Sequence, residues 1–145
     1  MLDHVSITVS ELSRSAPFYD AIMAALGVPC VGRDADRLAY GLRNHASDDG
    51  HTYLSVRPSA HVVPDRRHWC FRAPSRAAVD AFHAAGLAHG GRDDGLPGLR
   101  PAYHASYYAA FLLDPDGNRV EAVCHREPPG STHAPVSVPR AGQGP

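Results

Sequence analysis

Two stretches of this chain open alike and continue in the same order. His4-Val-Ser-Ile-Thr-Val and His68-Trp-Cys-Phe-Arg-Ala each begin with histidine and lead into a helical segment. Phe18 lies fourteen residues after His4, and Phe82 fourteen after His68. Short strand candidates follow each helix. The economical description is a weak internal repeat of a βαβββ unit. That order is incompatible with a doubly wound sheet, which needs a helix between most strands. The expected fold class is α+β, built from two such modules.

Residues 4–9 alternate apolar with polar and are β-branched, which predicts a strand. Ser13 is a plausible N-cap for the helix that follows, with Pro17 in its first turn. Leu12, Ser15, Tyr19, Ile22 and Leu26 fall near one stripe, and Gly27 and Pro29 end the helix. Strands are expected near 29–33, 37–43 and 51–57, with a turn at Asp48-Asp49-Gly50. The second unit predicts a strand from His68, a helix from about Arg76 to Ala85 closed by Gly86, and a short strand over 87–91. "GRDDGLPGLRPAYHAS" reads as a long irregular loop, the kind that is usually functional or mobile. Strands 107–113 and 119–125 flank the tight turn Asp114-Pro-Asp-Gly-Asn118. Residues 1–126 are expected to form one domain. The Pro-, Gly- and Ser-rich residues 127–145 have little to bury and are expected to be disordered.

Composition narrows the function classes. A net charge of -1 over 145 residues offers no basic field for nucleic acid. No apolar run approaches the roughly 20 residues that span a membrane. The start, Met1-Leu-Asp-His4, lacks a charged n-region and an apolar h-region, so no secretory leader is read there. Cys30, Cys70 and Cys124 are odd in number and lack metal-type spacing, which suits a reducing cytoplasm. All fourteen basic residues are arginine. Schiff-base and phosphate-loop lysine chemistry are therefore unavailable.

Strand alternation then selects candidate functional residues. His4, Ser6 and Thr8 share one face of the first strand. His68, Cys70 and Arg72 share one face of the strand that opens the second unit. Arg119, Glu121 and Val123 share one face of the last. Each strand can bury its apolar face while His4, His68 and Glu121 project from the other. If the units form a curved sheet, two imidazoles and a carboxylate converge in its concavity as a divalent metal site with open positions.

These residues carry a resemblance. "HVSITV" with His4, the "PFYD" of the first helix, "HWCF" with His68 and "DPDGNRVEAV" with Glu121 resemble the vicinal oxygen chelate superfamily, also called the glyoxalase/bleomycin-resistance/dioxygenase family, over about residues 2–125. The resemblance implies paired βαβββ modules in a cupped mixed sheet, often a homodimer with sites shared between chains. It implies one divalent metal ion (Zn, Fe, Mn or Ni) on His4, His68 and Glu121. It also implies a small-molecule substrate and a lyase, isomerase or dioxygenase type of reaction. The alternative is a metal-free dimeric binding or resistance protein that sequesters an aromatic antibiotic or metabolite.

Glyoxalase I-like members carry a fourth ligand late in the first module. By analogy with Glu121 that position falls near Ser55, which is a poor ligand for a divalent metal. A proton-shuttling base is then missing, and weak glyoxalase activity is expected. Around the long loop, His104 is a candidate acid–base group, though a loop histidine needs no such role. Alternation leaves open which of Tyr107 and Tyr108 faces the cup. Glu121, His104 and Tyr108 form the expected catalytic set. Arg57, Arg72, Arg92 and Arg100 are candidates to hold an anionic substrate, set against their ordinary role as solvated surface groups.

Overall fold

The protein is described here from a computed structural model, and the described residues are 3–42, 53–64 and 67–126. The first module runs β1 (His4–Val9), α1 (Leu12–Ala25), β2 (Cys30–Asp34), β3 (Arg37–Gly41) and β4 (Tyr53–Pro58). The second runs β5 (His68–Arg72), α2 (Arg76–Ala88), β6 (Arg92–Leu99), β7 (Tyr108–Leu113) and β8 (Arg119–Cys124). Two four-stranded mixed sheets result, with strand orders β1-β4-β3-β2 and β5-β8-β7-β6. The orders match term for term, so the repeat read in the sequence is a repeat of topology. His4 and His68 are the first residues of equivalent strands. The register repeats too: Ser6 pairs with Ser55 as Cys70 pairs with Glu121.

One face of each sheet is apolar and covered by its helix. Ile7, Val9, Leu54 and Val56 pack with Phe18, Tyr19 and Ile22; Leu112, Val120 and Ala122 pack with Val79 and Phe82; all belong to one buried cluster. Burying such side chains is worth about 1.5–3 kcal/mol each. The helices join the halves at Gly86, where an added Cβ would lie 2.3 Å from Leu112 and 3.2 Å from both Ile22 and Phe18.

The second connection between the modules is the turn Asp114–Asn118. Asp114 is fully buried. Its Oδ1 accepts the N–H groups of Asp116 (2.9 Å) and Asn118 (2.8 Å). Its Oδ2 accepts from Tyr19 Oη (2.7 Å) and Asn118 Nδ2 (2.8 Å). Burial first, then the Asp114 charge, raises the Tyr19 phenol well above its ordinary range. Asn118 Nδ2 also donates to the Thr8 carbonyl at 2.9 Å. Asp116 accepts from Ser10 N (3.0 Å), Ser15 Oγ (3.3 Å) and Arg14. It thus supplies a carboxylate beside the start of α1, where Glu11 at the N-cap makes no side-chain capping bond; helix starts favour negative charge.

Three local expectations are corrected. Helix α1 starts at Leu12, so Ser13 lies inside it, and its hydroxyl bonds Glu11 instead of capping. Helix α2 continues to Ala88 through Gly86 and is followed by Gly90 at φ +91°; there is no strand over 87–91. The "irregular" stretch contains β6, an edge strand with register shifts near Gly95. An edge strand tolerates Pro97 and bulges that a central one would not. The expected turn at 48–50 and the tail 127–145 lie outside the described residues.

Gly86→Ala should overpack the junction and lower stability by about 1–3 kcal/mol. Chemical denaturation should give a lower midpoint with an unchanged slope; wild-type stability would refute this packing role. A second test concerns acid. His83 Nε2, buried in α2, meets Asp93 Oδ1 of β6 at 2.8 Å, and this bond, with the Gly95 N–H, holds the Asp93 carboxyl below its ordinary value. A depressed carboxyl contributes stability above its unfolded-state pKa and loses it as pH falls through the lowered folded-state value. Asp93→Asn should therefore flatten the acid side of the stability–pH curve, below about pH 4.

Candidate metal and substrate site

Strands β5 and β8 run side by side and parallel, placing His68 opposite Arg119 and Cys70 opposite Glu121. On the other side of β8 the hairpin places Phe111 opposite Glu121. His68, Cys70, Glu121 and Phe111 therefore share the sheet face away from the helices. Glu121 sits in the middle of this face with its side chain 2% exposed, whereas His68 is 47% exposed. His68 Nε2 lies 3.0 Å from Glu121 Oε2. Tyr107 Oη donates to Oε1 at 2.7 Å. The carboxylate is thus oriented from one side by a phenol and presents its other oxygen toward an accessible imidazole.

Burial and the Glu121 carboxylate keep the neighbouring phenol and thiol protonated. Desolvation, then the hydrogen bond to Glu121, raises the Tyr107 phenol, so it remains a donor at physiological pH. Desolvation and the Glu121 charge push the Cys70 thiol up to about 12. Cys70 is therefore a thiol here, not a thiolate nucleophile.

The structure brings together only part of the expected set. His68 and Glu121 meet. His4 does not join them within one chain: it lies on the first sheet, stacked on Tyr53 at 5.3 Å, with Nδ1 2.8 Å from Asp3 Oδ1. Among the described residues no three His, Cys, Asp or Glu side chains form a group able to hold a metal. Ser55 is 2% exposed, and its Oγ has no hydrogen-bond partner. Its place in β4 matches that of Glu121 in β8, as the sequence comparison of the two units expects.

Tyr108 faces α2 rather than Glu121. It pairs with Cys124 on the helix side, donates to Asp80 of α2 at 2.8 Å and carries Arg76 5.2 Å from its ring. Tyr107 is the tyrosine that reaches Glu121. His104 stands behind Tyr107, 5.4 Å ring to ring, and its Nε2 lies 2.8 Å from His125 Nδ1. The Ser106 N–H donates to His104 Nδ1 at 3.2 Å. In neutral His104 the proton is then on Nε2, which donates to His125. Both imidazoles buttress Tyr107, as does Tyr103 at 4.8 Å.

Two further groups lie on this face: Phe111, which strand parity did not single out, and Arg100, one of the four arginines offered above as anion holders. Phe111 meets His68 at 6.5 Å and 63°, and the Arg100 guanidinium lies over Phe111 at 5.5 Å. Hairpin register offers a signal for Phe111, because a turn spanning 114–118 pairs 113 with 119 and hence 111 with 121. In the sequence Arg100 is only one of four candidate arginines, and its place on this face depends on the shape of β6.

Comparison with known proteins matches this architecture. The family model of the Glyoxalase/Bleomycin resistance protein/Dioxygenase superfamily matches residues 1–122. A glyoxalase/bleomycin resistance protein from Albidiferax ferrireducens is 32% identical, with a TM-score of 0.69 over 85% of this chain and 97% of that one. A glyoxalase I mutant from Zea mays shares the fold at 24% identity and a TM-score of 0.59, over 85% of this chain and 45% of that one. The catechol-2,3-dioxygenase of Bacillus subtilis is 28% identical over 133 residues, 86% of this chain; the chain spans only 41% of that relative's length. With its two βαβββ modules and the family model matched along most of its length, the chain belongs to the Glyoxalase/Bleomycin resistance protein/Dioxygenase superfamily.

Proposed function

We propose that this protein is a metal-dependent enzyme acting on a small substrate with two neighbouring oxygens, its site completed by a second copy of the chain. The observation that carries this is the His68–Glu121 pair. Its 3.0 Å separation sets an imidazole nitrogen and a carboxylate oxygen side by side, where both would hold one divalent ion. An imidazole nitrogen and a carboxylate oxygen are suitable donors for Zn, Fe, Mn or Ni. Among the described residues no third donor lies beside them, and His4 of a second copy, related by a two-fold axis, is the donor we assign. When bound there, a divalent ion would supply Lewis-acid stabilisation of negative charge on a small substrate with two neighbouring oxygens.

The chain's own residues set the rest. Tyr107 fixes which Glu121 oxygen faces His68. His104, His125 and Tyr103 fix Tyr107, so His104 acts here through position. Phe111 walls the site with an aromatic ring, which suits a planar substrate. The similarity to a catechol-2,3-dioxygenase supports an aromatic diol as the substrate class and ring cleavage as the reaction type. One observation favours a second reading. His68, Glu121 and Tyr107 satisfy one another without an ion, as they would in a metal-free protein that sequesters an aromatic compound in the same cup.

Mixing variants separates these readings. Reconstituted wild-type protein should hold about one divalent ion per chain and run as a homodimer, and His4→Ala and Glu121→Ala should each lose the ion. When the two variants are unfolded and refolded together, about half the dimers are mixed, each with one intact and one doubly damaged site. Metal binding should return to about a quarter of wild type. No recovery in proven mixed dimers would overturn the shared site. Wild-type protein that takes up no ion would favour the sequestering reading.

The Ser55 position yields a further test. Glyoxalase isomerisation moves a proton between adjacent carbons and needs a base within reach of both. Losing a positioned base typically lowers the rate about 10²–10⁴-fold. Metal-loaded protein should therefore turn over the glutathione hemithioacetal of methylglyoxal weakly or not at all. A kcat in the ordinary range of about 1–10³ per second would refute this.

A further inference from the structure

Among the described residues, Arg100 is held in place without a counter-charge. Its Nη2 donates to the Leu96 carbonyl at 2.7 Å and its Nη1 to the Leu99 carbonyl at 3.3 Å. The guanidinium lies 5.5 Å from the centre of the Phe111 ring. Neither nearby aspartate of β6 neutralises it: Asp93 is bonded to His83, and Asp94 is paired with Arg119 at 2.6 Å. Among the described residues no carboxylate lies within ion-pair distance of Arg100.

The platform beneath this cation is built of glycine. A Cβ at Gly95 would come 2.9 Å from Phe111 Cδ2, and one at Gly98 would come 3.1 Å from Arg100 Nη1. Gly95 also has φ +156°, where a side chain is strained. The two glycines let the phenyl ring and the folded-back guanidinium lie against β6. Carbonyl bonds and a ring face orient the cation and leave its charge uncompensated. A guanidinium fixed in this way recognises carboxylates through its planar fork of donors.

The same ring that carries Arg100 meets His68 at 6.5 Å. Phe111 is therefore the ring that lies beside both His68 and Arg100. We propose that Arg100 is the anion-recognition element of this site, and that the preferred ligands are aromatic acids, an aromatic diol carrying a carboxylate among them. This rests on the chelate-site reading above only for the diol end of the ligand.

Binding measurements separate the two ends. The first comparison sets 3,4-dihydroxyphenylacetate against catechol on the metal-loaded dimer, for wild type, Arg100→Met and Arg100→Lys. Wild type should prefer the acid by about tenfold or more, in line with about 1.5–3 kcal/mol for a charge-assisted hydrogen bond. Arg100→Met should erase the preference and leave catechol affinity within about twofold. Arg100→Lys should retain part of it, because it keeps the charge and loses the fork. Equal wild-type affinities for acid and diol would overturn the proposal. The second probe is phenylacetate, which cannot chelate through two oxygens, titrated into metal-free protein and followed by NMR. Shifts near Phe111 that are present in wild type and absent in Arg100→Met support the anion site even if no metal binds. Identical titrations of the two proteins, or none in either, would overturn it. Failure of catechol to bind metal-loaded protein, with the phenylacetate response intact, would overturn the chelate reading alone.

Discussion

The buried carboxylate of Asp114 is the interaction on which the rest of the site depends. It accepts four hydrogen bonds, from the turn's own backbone, from Asn118 and from Tyr19 of the other module. A buried charge is tolerated only when its lone pairs are met, and here they are met in a way that fixes the turn. The turn fixes the pairing of β7 with β8. A slip by one residue would move every side chain of the hairpin to the opposite face. Glu121 would then point into the core against α2, and Tyr107 would exchange places with Tyr108. A contact far from the candidate chemistry thus decides which side chains can take part in it.

That dependence explains which parts of the site were legible in the sequence. Glu121 stood out because a lone carboxylate in an apolar strand is expensive unless it has a use. His4 and His68 stood out because the repeat gave them equivalent positions. The choice between Tyr107 and Tyr108 depends on register. Register was present in the length of the DPDGN turn, but only for a reading that counted the hairpin pairs outward. β6 was hidden because glycine, proline and aspartate mark turns by composition, whereas a bulged edge strand uses the same residues for a different reason. Gly86 was misread as a helix stop for a related cause. Its missing side chain serves contact with Leu112 and Phe18, and tertiary packing of that kind leaves no local signature.

The two halves have diverged within one register. Ser55 and Glu121 occupy matching places, one an orphan hydroxyl and the other a carboxylate held by a tyrosine. On the reading proposed above, His4 is the first half's contribution to a site, and the second half supplies the remaining donors. The asymmetry reduces the negative charge that a symmetric four-ligand site would have. A site with one carboxylate tolerates an anionic ligand better than a site with two.

The junction at Gly86 has a consequence for how this molecule comes apart. Leu112 of the second sheet and Ile22 and Phe18 of the first helix all close on the same glycine, so the repeats have no separate interiors. Each half cut from the other would expose the helix face that now covers its twin. Duplicated chains often retain some independence of their copies, but here the copies share one cluster of buried side chains and one buried carboxylate. Unfolding is then expected to be a single cooperative event, with no state in which one repeat is folded and the other is not.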